Sequence, residues 1–232
     1  MQYRNSYGQC LGQEMQDWTA RSTPEKFSLS GNYCMVTPLS VDHAEDLFHA
    51  WQSIDDDRDW TYLPGKRPAT KEECYNYFRA LIAAKNGMHM SVIDKNDGTV
   101  KGIFCITRIN PVHGTFELTD INWTPALKKT RISTEAIYLV LSYFIDALHY
   151  RRCEWRTNIF NDGAIKAAER IGFRKEGVLR DKKVTKGHSE DLALFSIIAS
   201  EWHDLEIPIK AWLRENNFDG LGRQLKKLKD FR

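Results

Sequence analysis

The 232-residue chain is short of everything that would staple or anchor it from outside. Its five cysteines, Cys10, Cys34, Cys74, Cys105 and Cys153, are odd in number and widely scattered, and no Cys-x-x-Cys pair occurs. Neither a disulfide framework nor a zinc cluster is expected, and the thiols read as free in a reducing compartment. The seven histidines are isolated, with no His-x-x-x-His spacing, so no bound metal is expected. No run approaches the ~18–20 apolar residues of a membrane helix. The N-terminus lacks the apolar core of a secretory signal. A soluble, cytoplasmic protein without a membrane partner is the expectation. Charge of neither sign dominates: the net charge is +2, and the broad basic stripe of a nucleic-acid binder is missing.

What is present is enough apolar material, 42% of residues with 12% aromatic, to fill a core. Residues 1–32 are polar and read as a loosely ordered arm. Tyr33–Val36 reads as a strand stopped by Pro38. Ala44, Leu47, Phe48 and Trp51 recur at three and four residues, which predicts a helix over 41–52. An acidic loop, Asp55-Asp56-Asp57-Arg58-Asp59, leads to Trp60 and Tyr62. Thr70 with Glu73 forms a capping box for a helix to about Lys85. His89–Asp94 and Val100–Ile109 are strands joined by the hairpin signal Asn96-Asp97-Gly98. Thr115–Trp123 is a further strand, and the apolar stripe Ile137, Val140, Leu141, Phe144, Ile145 and Leu148 marks a long helix over about 130–148.

Arg152–Asn158 then reads as a strand, 162–171 as a helix ending at Gly172, and 173–184 and 190–198 as two strands turning at Lys186-Gly187. Ser200 is placed to cap a last helical region, broken by Pro208. Residues 221–232 carry Arg223, Lys226, Lys227, Lys229 and Arg232, either a solvated face or a contact for an anionic surface such as RNA. A meander followed by β-α-β-α-β-β predicts an α/β (α+β) domain, a mixed sheet of about seven strands with helices on both faces. Three segments follow: an arm over 1–32, the domain over 33–202, and a helical basic extension over 203–232.

Residues 153–173 place polar groups, Asn158, Asn161 and Asp162, where a strand hands over to a helix, the usual ligand position in layered α/β domains. Asn161 there is either a plain helix cap or a ligand contact, and both roles are compatible. Lys128, Lys129, Thr130, Arg131, Ser133 and Thr134 cluster at the start of the long helix, whose free amides suit a diphosphate or merely face water. Glu117 and Asp120 lie on one strand, an odd number apart, so they point to opposite faces unless a bulge intervenes.

The segment 153–173, Trp60-Thr61-Tyr62-Leu63-Pro64, Glu117, Pro125-Ala126-Leu127, Thr134-Glu135-Ala136 and Gly172-Phe173-Arg174-Lys175-Glu176-Gly177-Val178 together resemble the GNAT superfamily of N-acetyltransferases. The branch they resemble contains the ribosomal-protein N-terminal acetyltransferases. The likeness covers residues 33–202 and, more weakly, the tail to about 228. It implies the GNAT fold, with Glu117–Trp123 and Arg152–Asn158 as a splayed central pair. It implies acetyl-CoA as donor, with no metal, and a primary amine of a small molecule or polypeptide N-terminus as acceptor. No nucleic acid is expected as partner, and the oligomeric state stays open.

By the same resemblance, the backbone near Ile121, Asn122 and Trp123, with Asn158 and Asn161, holds pantetheine. Lys128, Lys129, Thr130, Arg131, Ile132, Ser133 and Thr134 hold the diphosphate. Lysines and an arginine stand where the superfamily pattern has alternating glycines, as in this branch. Glu117 is the expected general base, or else a buried structural partner, with Asp120 as the second catalytic carboxylate. Asp59, Trp60 and Tyr62 are expected at the acceptor. Many relatives carry Ser and some Tyr where this chain has Ala164 and Ala168, so the leaving thiolate lacks an obvious acid. A binding module without catalysis is the alternative.

Overall fold

The computed structural model describes residues 3–232. Its strands are β1 (Tyr3–Arg4), β2 (Cys10–Leu11), β3 (Leu29–Ser30), β4 (Cys34–Pro38), β5 (Gly87–Asp94), β6 (Val100–Asn110), β7 (Thr115–Trp123), β8 (Arg152–Asn158), β9 (Arg174–Thr185) and β10 (His188–Ile198). The helices are α1 (Ala44–Gln52), α2 (Lys71–Ala83), α3 (Arg131–Ser142), α4 (Asp162–Ile171) and α5 (Ala199–Trp212). β1 and β2 form a small ribbon, and the other eight strands form one sheet in the order β3-β4-β5-β6-β7-β8-β10-β9. The strand beyond the expected seven is the two-residue β3, added antiparallel to the edge of β4. Every pairing in the sheet is antiparallel except β7 with β8.

Two apolar clusters sandwich the sheet. α3 contributes Ala136, Ile137, Val140 and Leu141 to one, with Phe104 and Ile106 of β6. α1 and α2 contribute Leu47, Trp51, Cys74 and Phe78 to the other, with Ile103 of β6. The alternation along β6 therefore buries both faces of a central strand. Thr70 caps α2 by accepting from the Glu73 amide at 3.2 Å. The Glu73 carboxylate reaches back to the Ala69 amide at 2.7 Å, one residue earlier than in a closed capping box. The β9–β10 turn has both central residues at positive φ, Lys186 at 52° and Gly187 at 82°, as a type I′ hairpin requires.

Three local expectations change. The helix over 130–148 is α3 followed by a π-helical turn over Tyr143–Ala147, where Phe144 turns in to stack on Phe116 at 4.1 Å. Ser200 does not cap α5, which starts at Ala199 with no side-chain cap. Pro208 does not break α5 either. The buried Pro208, Ile209 and Trp212 hold the helix through the proline, and their packing offsets the lost backbone bond.

One carboxylate fixes the start of the sheet. Glu135 is buried on α3 and accepts from the amides of Asn32 (2.7 Å), Tyr33 (2.7 Å) and Cys34 (2.9 Å). Gly31 makes the approach possible, because a Cβ there would lie 2.4 Å from the Glu135 carboxyl carbon. Residues before β3 also lie against the domain. The Trp18 indole donates to the Val112 carbonyl at 2.9 Å, sits over Gly114, and is covered by Arg21 at 4.1 Å. At the other end, Arg232 donates to the Arg170 and Ile171 carbonyls, both at 2.8 Å, and so satisfies the C-terminal end of α4.

Replacing Glu135 by Ala strands three amides, two of them in buried residues, and should lower unfolding free energy on the order of 3 kcal/mol. Urea denaturation measures it. Glu135→Gln should retain part of the loss, since its amide oxygen can still accept.

Candidate active site

The site is made by a failure of pairing. β7 and β8 run in parallel register only from Thr115↔Arg152 to Leu118↔Trp155. Beyond that point each strand keeps its outer neighbour: β7 pairs with β6 as far as Trp123, and β8 pairs with β10 as far as Asn158. The inner edges part, and their backbone groups lose their partners to an open slot. A bulge drives the parting. Cys105 pairs with Thr119 and Ile103 with Asn122, so Phe104 alone faces Asp120 and Ile121. Asp120 sits at φ 49°, the left-handed conformation that Asp tolerates better than most residues.

The bulge has a chemical consequence. The extra residue resets the alternation, and Glu117 and Asp120 both line one cleft of about 570 Å³. Glu117 is 5% exposed, with Oε2 2.9 Å from Arg108 Nε and 3.8 Å from Arg156 Nε, neither aligned as a hydrogen bond. Burial pushes its carboxyl above the ordinary range, against the pull of Arg156 and Arg108. Burial likewise raises Asp120, against His89 and Lys183. Two carboxylates raised by burial in one cleft are candidates for accepting a proton.

The other expected residues divide. Ile121, Asn158, Asn161, Asp59 and Tyr62 line the cleft. Asn161 caps α4, its Oδ1 accepting from the Ala164 amide at 3.1 Å, which leaves the side-chain NH₂ as a donor. Asn158 Oδ1 accepts from the Phe160 amide at 2.9 Å. Tyr62 donates to the Phe160 carbonyl at 3.0 Å, and Lys186 donates to the Trp60 carbonyl at 2.6 Å, so the acidic loop is tied to the β8-β10-β9 half of the sheet. Asn122 is buried, with a side-chain nitrogen that no group of the protein satisfies. Trp123 packs edge-on against Phe104.

Trp60 is elsewhere. It is 2% exposed and packs on Trp51 at 5.0 Å in the second core cluster, so it supports the loop and does not face the cleft. The acidic loop is also less acidic than it reads. Asp56 is held by Arg58 and driven down to about 2, Asp57 pairs with Arg67, and Asp59 pairs with Lys128.

At the start of α3, Thr130 is the cap, accepting from the Ser133 amide at 3.3 Å. Ser133 donates to the Thr130 carbonyl, and Thr134 is buried and receives Arg170 at 2.9 Å. Arg131 turns away, its guanidinium 4.2 Å from the Tyr33 ring and 5.2 Å from the Phe218 ring. Ile132 packs on the main core. Lys129 stands at φ 60°, the backbone form a glycine would take at this place, with its side chain exposed.

The cleft also gathers groups that sequence reasoning passed over: Arg108, Arg156, Lys182 and Lys183. Arg156 alternates with the buried Trp155 and Thr157 on β8 and was legible as a cleft residue; the lysines arrive from β9, across a long hairpin. Among the described residues no cluster of metal-ligating side chains occurs, and no helix is long and apolar enough to cross a membrane.

A splayed parallel pair in a mixed sheet, with a bulge and a helix start beside it, matches the GNAT pattern. The model of the acetyltransferase (GNAT) domain matches residues 34–174, and the chain belongs to that family of N-acetyltransferases. A solved GCN5-related N-acetyltransferase from Brucella melitensis is 37% identical, with a TM-score of 0.89 over 94% of this chain and 99% of its own. A curated Bacillus subtilis protein, named a probable N-acetyltransferase, is 25% identical over 73% of this chain and 96% of its length. A structure from Vibrio cholerae, named as a putative ribosomal-protein-serine acetyltransferase, shares the fold, with TM-score 0.63 over 74% of this chain and 97% of its own, at 16% identity. The family uses acetyl-CoA and amine acceptors.

The bulge can be separated from the charge it carries. Asp120→Gly keeps the left-handed backbone and Asp120→Ala opposes it, so the glycine variant should be more stable by about 1 kcal/mol. Thermal unfolding of the two proteins checks this.

Proposed function

We propose that this protein moves an acetyl group from acetyl-CoA directly to the primary amine of a small molecule or a polypeptide N-terminus. The observation that carries the reading is the parting of β7 and β8 after Leu118 and Trp155, with Glu117 and Asp120 on the same cleft. The cofactor supplies an acetyl group activated as a thioester. The freed backbone from Ile121 to Trp123, the Asn122 side-chain nitrogen and the Asn161 NH₂ are the groups suited to its amide chain. The first-turn amides of α3 and the exposed Lys129 are suited to its diphosphate, while Arg131 and Thr134 are already engaged in packing.

Glu117 takes the proton from the acceptor amine, directly or through a water. Its raised carboxyl brings base strength closer to the operating pH. Asp120, bounded by His89 and Lys183, is the second candidate for the same work. Ala164, on the cleft, and the buried Ala168 offer no proton. A thiol, with a pKa of about 8.5, tolerates departure as the anion far better than an alcohol would.

Those two alanines are also what favours the second reading, a module that binds the cofactor without catalysis. Thiol release across an amine panel separates them: tight cofactor binding with no turnover of any amine selects the silent module. Glu117→Gln should lower kcat by roughly ten- to ten-thousandfold. A proton acceptor works only when ionised, so activity should rise with pH through a limb above the ordinary carboxylate value of about 4.3. That limb should vanish in the variant that removes the base. Asn161→Ala should raise the acetyl-CoA KM; an unchanged KM and kcat would remove Asn161 from the cofactor site.

A further inference from the structure

We infer that the acceptor amine carries an anionic group, a carboxylate or a phosphate, received by Arg108 with help from Lys182. The inference rests on the acetyl-transfer reading and names the acceptor class of that same cleft.

Most ionised groups near the cleft are matched within the protein: Asp59 with Lys128, Lys183 with Glu190, and Arg156 with Glu154. The acidic loop consumes Asp56 and Asp57 on Arg58 and Arg67. The carboxylates left over are Glu117, the proposed proton acceptor, and Asp120, beside His89 and the already paired Lys183. Two cations lining the cleft are left with free donors. Lys182 is exposed and makes no hydrogen bond or ion pair among the described residues. The Arg108 side chain is 61% exposed and forms one ion pair among the described residues, with Glu117, closest through Nε. Its terminal nitrogens donate no hydrogen bond among the described residues, and their planar fork matches a carboxylate or phosphate.

Arg108 stands at φ 48°, in an irregular stretch of β6 between Thr107 and Asn110. A bulky side chain held in the left-handed region is a strained arrangement, of the kind that collects at functional sites. Arg108 Nε is 2.9 Å from Glu117 Oε2, the oxygen proposed to take the amine proton. An amine at that oxygen has substituents two or three bonds away within reach of the same guanidinium. An anionic substituent is attracted there, a second ammonium is repelled, and a neutral one gains nothing.

The test compares ethanolamine, β-alanine, 2-aminoethyl phosphate and putrescine, with short peptides beginning in Asp or Lys. Initial rates are measured with acetyl-CoA, and acceptor binding is measured by calorimetry in the presence of CoA. β-Alanine or 2-aminoethyl phosphate should exceed ethanolamine and putrescine at least tenfold in kcat/KM. An Asp-initial peptide matching them assigns the anion to a polypeptide N-terminus; otherwise the acceptor is the free small amine. Arg108→Ala disturbs Glu117 for every acceptor, so the readout is the anionic-to-neutral ratio, which should collapse toward one. Lys182→Glu, at a residue that forms no ion pair with Glu117, should lower that ratio as well.

Equal or better use of putrescine, or a ratio unmoved in Arg108→Ala, overturns the inference. Anion-selective binding that is lost in Arg108→Ala without any turnover upholds it and overturns the transfer reading instead.

Discussion

The structure depends on one interrupted ladder. A parallel strand pair in the centre of a sheet is normally continuous, since each unpaired buried amide costs on the order of 1–3 kcal/mol. Here the β7–β8 ladder stops at Leu118 and Trp155, yet neither strand is left unsupported. β6 and β10 hold the outer edges in antiparallel register to the ends. The sheet is thus two antiparallel halves, joined by four residue pairs and opened beyond them. The candidate site follows from that geometry: the slot, the exposed backbone within it, and two carboxylates from one strand lining one cleft.

An opened sheet needs bracing elsewhere, and the bracing comes from sequence-distant polar contacts. Glu135 ties α3 to the entry of β4, and Arg170 ties α4 to Thr134. Arg232 closes the end of α4, while Lys226 and Gln224 receive the Trp212 indole. The basic C-terminal stretch therefore has contacts within the domain, with Leu228 buried beneath it. Above the slot, the Phe160 carbonyl and Lys186 hold the loop through Tyr62 and Trp60, both from the β8-β10-β9 half of the sheet.

Much of the architecture was legible because it rests on local signals. The hairpin at Asn96-Asp97-Gly98, the cap at Thr70 and the period of Ala44, Leu47 and Trp51 are each written within a few residues. The family likeness then supplied the splayed pair. What was not legible depends on partners far along the chain. Nothing local to Asp57 announces Arg67, and nothing local to Asp59 announces Lys128, so the loop read as acidic. Trp60 read as a cleft wall because an aromatic beside a polar loop looks exposed; Trp51 and Tyr77 bury it. Pro208 read as a break because propensity is local, and the packing that overrides it is not. Residues 15–22 read as loose because their composition is polar, while Trp18 and Arg21 are seated on the β6–β7 turn.

Glu135 binds main-chain amides, and this has a consequence for drift among related chains. Hydrogen bonds to Asn32, Tyr33 and Cys34 are made through nitrogens that nearly every amino acid possesses. The identities of those three residues are free to change so far as this contact is concerned. The burden of sequence memory falls on two positions a hundred residues apart, the glutamate and the glycine at 31 that makes room for it. A strand entry held in this way can diverge in text while its shape is inherited unchanged.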